Sequence, residues 1–284
     1  MDTTTAPQSR VVDRTLVRTG LGGGYILIAL AHCLQLWEVN RLNPGAPRGT
    51  VEAEIAAYLF LALGIVLFVG ALDFRHTATV AGPAFRLLAV AGCLLAVGEL
   101  AVAVDEARHG PPKILVLVTV VAAAGEAAIA YGWWVWSRAA SERGRRRTTA
   151  ASRGDWPTPR RVTQVCLASA FAFYAVSDVV TVLTHGQAGP TRTFGLLVHV
   201  VGYGTAAIGH WQLVGLLAWI SIARAARRGL VLLGIGGCIL AVAPYLAGMT
   251  PPAALTIEAL GSLALGVGWL VWAAAGRFNS EGQT

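Results

Sequence analysis

The chain has 284 residues, of which 55% are hydrophobic and only 13% charged, with a formal net charge of +7 and a mean hydropathy of +0.61. That balance leaves too little polar surface to cover a soluble globule of this size, which excludes ordinary soluble enzymes and makes nucleic acid an unnecessary explanation of the positive charge.

Taken in chain order, the apolar runs predict eight membrane-spanning helices over 19–38, 52–74, 83–104, 113–137, 162–184, 194–221, 229–248 and 252–275. Each is close to the roughly 20 residues that a helix rising about 1.5 Å per residue needs to cross the hydrocarbon. Membrane β-barrels alternate polar and apolar residues, and these runs do not, so the expected fold is an all-α polytopic bundle. The first run is too long for a signal-peptide core and lacks a clear small-residue cleavage site, so it is expected to be retained as the first helix.

With the N-terminus placed inside, 17 of the 22 Lys and Arg residues fall in the inner segments, leaving only Arg41, Arg48, Arg108, Lys113 and Arg192 outside. The bias of short inner loops toward positive charge therefore predicts a multi-pass cell-membrane protein with both termini cytoplasmic. The basic stretch 141–161 reads first as a solvated linker, and its arginines could meet anionic lipid headgroups.

That linker separates two segments of four predicted helices, 1–140 and 162–284. A shift of 145 aligns GCLLAV at 92–97 with GCILAV at 237–242, Tyr58 with Tyr203 and Gly64 with Gly209. A shift of 136 aligns Gly132-Trp133-Trp134-Val135-Trp136 with Gly268-Trp269-Leu270-Val271-Trp272. The ordered matches predict an internal duplication, and an even number of spans per copy makes the repeats parallel. The 33 glycines read chiefly as close-packing positions between helices, and Trp133, Trp134, Trp136, Trp269 and Trp272 as interfacial anchors.

Ionisable groups within the spans are the informative exceptions, because each costs about 2.5 to 3.5 kcal/mol at a helix centre. They are His32, Glu54, Glu99, Glu126, Asp178, His199, His210 and Glu258. Six of them, His32, Glu54, Glu99, Asp178, His199 and Glu258, fall toward the outer side. The repeat shift sets Glu54 against His199, and alignment of the Pro44 and Pro190 turns sets His32 against Asp178, so each half carries one histidine and one carboxylate with the types exchanged. The expected pairs are His32 with Glu54 and Asp178 with His199, each able to pass a proton or hold a cation.

His199 and His210 stand 11 residues apart on one helical stripe, about 16 Å along the axis, which raises a haem b reading with His32, His199 and His210 as candidate ligands. Eight helices in two four-helix halves resemble haem A synthase in architecture alone. Helices four and eight lack histidine here and helix two lacks that family's Glu-to-His signature, so no residue is transferred. The four cysteines form no Cys-Xaa-Xaa-Cys motif, and neither a hydrolase triad order nor a nucleotide-binding loop is present.

These features predict a small proton- or cation-coupled transporter with a polar cavity open to the outer side and no cofactor. The alternatives are a membrane redox subunit binding haem b or quinone, and a scaffold subunit whose buried charges pair with another chain.

Overall fold

The computed structural model describes residues 6–42, 49–109, 113–139, 189–217 and 219–242, with isolated positions between 162 and 183 and between 263 and 273. Six helices are described: α1 (Ala6–Leu42), α2 (Gly49–Ala71), α3 (Phe74–His109), α4 (Lys113–Arg138), α5 (Pro190–Leu216) and α6 (Trp219–Val242). Four of them contain stretches long and apolar enough to cross a membrane, Arg14–Leu42, Val51–Ala71, Phe74–Arg108 and Lys113–Arg138. The chain is thus an all-α integral membrane protein. Leu59, Leu63 and Leu67 form an exposed stripe at four-residue spacing on α2, the face an apolar helix turns to lipid. The runs expected at 162–184 and 252–275 lie almost wholly outside the described residues.

Several helices outrun their apolar segments. The expected third span begins at 83, whereas α3 starts at Phe74 and carries Pro83 within it. The seventh was expected from 229, yet α6 starts at Trp219, so Arg224, Arg227 and Arg228 sit on its first turns rather than in a loop. Hydropathy ends where charge begins, but backbone hydrogen bonding continues as long as the chain can satisfy it.

The turn from α2 to α3 is correspondingly short. Asp73 caps α3, its Oδ1 accepting from the His76 backbone N–H at 3.3 Å. Arg14 Nη2 donates to the Leu72 carbonyl at 2.9 Å, placing a cation at the end of α2 where orphan carbonyls favour one.

Around the bundle, α1 packs between α2 and α4, α3 packs on α4, and the later helices dock crosswise, α5 on α3 and α6 on α2. Both crosswise contacts are made by glycine. A Cβ at Gly64 would lie 2.9 Å from the Gly229 carbonyl oxygen, and one at Gly98 would lie 2.9 Å from that of Gly195. The pairs share a register, since 64 with 229 and 98 with 195 each sum to 293. α2 ends at Ala71 and α5 at Leu216, 145 residues apart.

The end of the bundle where α1 begins is filled by an aromatic cluster. Trp136 stacks on Phe74 and Phe85 at 5.7 and 4.4 Å, Trp133 stacks on Phe85 at 5.3 Å, and Trp136 and Trp272 meet Phe68 edge-on at 6.3 and 6.0 Å. Trp136 Nε1 donates to the Phe74 carbonyl at 3.0 Å. The anchor reading is therefore corrected for Trp133, Trp136 and Trp272, which are buried. Trp134, 47% exposed, keeps it. The indole needs a large apolar contact and one acceptor, and an interhelical seam supplies both as well as a headgroup region does.

The glycine crossings lead to a contrast in stability. Gly64→Ala puts a methyl 2.8 Å from the Leu233 backbone nitrogen and should cost about 1 to 3 kcal/mol by forcing α2 and α6 apart. Gly23→Ala, with nothing within 4 Å of the added carbon, should be neutral or slightly stabilising. Thermal unfolding of both variants in detergent checks this, with a lower midpoint for the first alone.

Candidate functional site

At the end opposite the aromatic cluster, four helices bring titratable side chains together. His32 on α1 places Nδ1 3.1 Å from Glu54 Oε2 on α2 and 3.1 Å from Gln35 Oε1 one turn along α1. Both oxygens accept, so the ring donates there. The same ring stacks on Tyr58 at 5.2 Å with the planes 10° apart. His32 and Glu54 were expected as a pair from the repeat alignment, and Gln35 and Tyr58 are additions that the structure makes to it.

His199 on α5 is buried. Its Nε2 donates to the Leu95 carbonyl on α3 at 3.2 Å and lies 4.0 Å from Glu99 Oε1. Its expected partner, Asp178, lies outside the described residues, as does Glu258. Among the described residues, the carboxylate facing His199 is Glu99. The docking of α5 on α3 explains this: Gly98 has no side chain, and a Cβ there would overlap the His199 ring. His199 contacts Tyr203 at 6.0 Å, the rings tilted by 59°.

Glu99 links the two histidines. It lies within electrostatic reach of His32 on one side and Glu106 on the other, and Glu126 on α4 lies within reach of Glu99 in turn. Glu106, two turns farther along α3, accepts a hydrogen bond from Thr119 Oγ1 at 2.9 Å. Near the end of α1, Glu38 is buried to 2% exposure and holds Arg41 through two hydrogen bonds, of 2.8 and 2.6 Å. Asp105 is buried as well. The sequence reading passed over Glu38, Asp105 and Glu106 because they lie at or beyond the ends of the apolar runs, where a solvated carboxylate is the ordinary outcome.

Deeper in the bundle is a cavity of about 160 Å³, lined from all six described helices. Its polar members are Glu126, His210, Tyr25, Tyr58 and Tyr203, and the rest of the wall is chiefly aliphatic, with Trp133 toward the aromatic cluster. The volume corresponds to a handful of waters at about 30 Å³ each, or one small solute. His210 Nδ1 donates to the Ala206 carbonyl at 2.9 Å. Tyr58 and Tyr203, 145 residues apart, stand in equivalent roles: each contacts a histidine of the outer group and each lines the cavity. The two rings therefore border both the titratable cluster and the chamber beneath it.

His199 and His210 share α5 as their spacing requires; His199 engages the Leu95 carbonyl and faces Glu99 through Nε2, whereas His32 and His210 make their hydrogen bonds through Nδ1. The described residues contain no group of three or more His, Cys, Asp or Glu side chains able to hold a metal ion. Cys33, Cys93 and Cys238 are free thiols.

Fold and site thus define a helical integral membrane protein with a polar interior. No protein-family model matches the chain, and no curated protein or solved structure is significantly similar to it.

The His32–Glu54 contact is about one-quarter exposed on each side, with side-chain exposures of 22% and 26%, so solvent screens it. A double-mutant cycle with His32→Gln and Glu54→Gln should give a coupling of about 0.5 to 1 kcal/mol in thermal unfolding, and added salt should reduce it.

Proposed function

We propose that the protein is a small proton- or cation-coupled transporter of the cell membrane, built as two parallel four-helix repeats with both termini cytoplasmic. The single observation that carries this reading is the chamber lined by both halves of the chain, with titratable residues above it and within it. The shared register of the two glycine crossings and the helix breaks 145 residues apart support the repeat arrangement.

In this reading His32, Glu54, Glu99 and His199 form the outer proton- or cation-binding group, and Asp178 and Glu258 join it from the second half. Tyr58 and Tyr203 are the inner boundary of that group. Histidines and carboxylates held a few ångströms apart exchange a proton with little rearrangement. A change in their protonation alters the attraction between α1 and α2 within the first half and between α3 and α5, a helix pair through which one half moves on the other. The aromatic cluster at the opposite end closes the chamber, as an outward-facing state requires. The anionic lipid contact proposed for 141–161 fits the same orientation.

Proteoliposomes loaded with the pH dye pyranine, subjected to a potassium diffusion potential, test the reading. Wild-type protein should carry a proton flux above that of empty vesicles, and Glu99→Gln should lower it roughly tenfold or more at equal incorporation, because the variant keeps the shape but cannot ionise. Equal flux in wild-type and empty vesicles under this potential and under imposed gradients of sodium and potassium would overturn it.

A further inference from the structure

The chamber has a chemical bias that the outer cluster does not share. Its wall is apolar except for three phenol rings, one imidazole and one carboxylate, and no Lys or Arg lines it among the described residues. Glu126 has no hydrogen bond or ion pair among the described residues. A carboxylate in an apolar wall is costly to ionise unless a positive charge or strong donors meet it. His210 commits its Nδ1–H to the Ala206 carbonyl, so that hydrogen is not directed at Glu126.

The geometry points to this chamber as the binding site of a small organic cation, an alkylammonium ion, with Glu126 as its counter-ion and Tyr25, Tyr58 and Tyr203 as its aromatic walls. Aromatic rings attract alkylammonium groups through their quadrupole, each contributing about 0.5 to 2 kcal/mol as the site becomes drier. The methyl groups of such an ion suit the aliphatic remainder of the wall. At about 160 Å³ the chamber admits one ion of this kind. A bare metal cation fits less well, since the wall offers only one carboxylate where hard cations take six or more oxygens. Glu126 is also within electrostatic reach of Glu99, so a cation seated in the chamber stabilises negative charge in the outer group as well. As the transported solute, this ion rests on the transport reading above, whereas occupancy of the chamber does not.

Tetramethylammonium is the suitable probe, because its charge is fixed at every pH and it cannot cross the bilayer as a neutral amine. Equilibrium dialysis of the radiolabelled ion against purified full-length protein in detergent should give saturable binding that neutral tert-butanol does not displace. Glu126→Gln, nearly isosteric, should weaken it roughly tenfold or more. Tyr203→Leu should weaken it severalfold and Tyr203→Phe should leave it unchanged, since the ring rather than the hydroxyl makes the contact. Wild-type affinity in folded Glu126→Gln, or proton flux by the wild type with no saturable tetramethylammonium binding, would overturn the cation site and leave the transport reading standing. Tetramethylammonium binding lost in Glu126→Gln, with no flux of any kind by the wild type, would overturn transport and uphold the site.

Discussion

Backbone contact of α2 with α6 at Gly64–Gly229 and of α3 with α5 at Gly98–Gly195 is the constraint on which the rest depends. In a bilayer, apolar side chains gain little by leaving lipid for one another, so helices associate where small residues let their backbones meet. Two such crossings with one register fix how far α5 is advanced along α3 and α6 along α2. From that advance follow the position of His199 against Leu95 and Glu99, the placement of Tyr203 level with its counterpart Tyr58, and the size of the chamber between them. A bulkier residue at either crossing would alter all of these together.

The polar groups are arranged in two tiers for a reason of solvation. Toward the end where α1 stops, His32, Glu54 and Glu99 retain partial exposure and each other. At His199 and, farther in, at His210 the backbone supplies the partner: the Leu95 carbonyl for His199, the Ala206 carbonyl for His210. Hydrogen bonds to carbonyls of packed helices hold an imidazole at fixed orientation without adding charge to an apolar interior. Glu126 departs from this pattern, and that departure makes it the most informative residue of the interior.

The opposite end does the reverse work. Phe68, Phe74, Phe85, Trp133, Trp136 and Trp272 interlock with every ring buried, and the Trp136 indole N–H meets the Phe74 carbonyl at 3.0 Å. Such a cluster excludes water from that end of the bundle. Arg14 reinforces the same end, with its guanidinium on the Leu72 carbonyl and 5.6 Å from the centre of the Phe74 ring.

The first four spans and the meeting of His32 with Glu54 were legible in the residues, because hydropathy and helical spacing act within single segments and the six residues of sequence between α1 and α2 leave those helices little choice of neighbour. The approach of Glu99 to His199 was not legible, because it depends on the docking of α5 against α3, a contact across about one hundred residues of chain that no local pattern encodes. Nor was the burial of Trp133 and Trp136, since an indole reads the same whether it meets lipid headgroups or a phenylalanine. The sequence alone determined that this chain crosses a membrane as helices with costly polar groups inside it, since the energy of backbone and charge in hydrocarbon permits nothing else. Only tertiary packing decided which of those groups touch and where they leave a space, since shape-matched contact between helix backbones is a property of pairs of surfaces and not of any one stretch of residues.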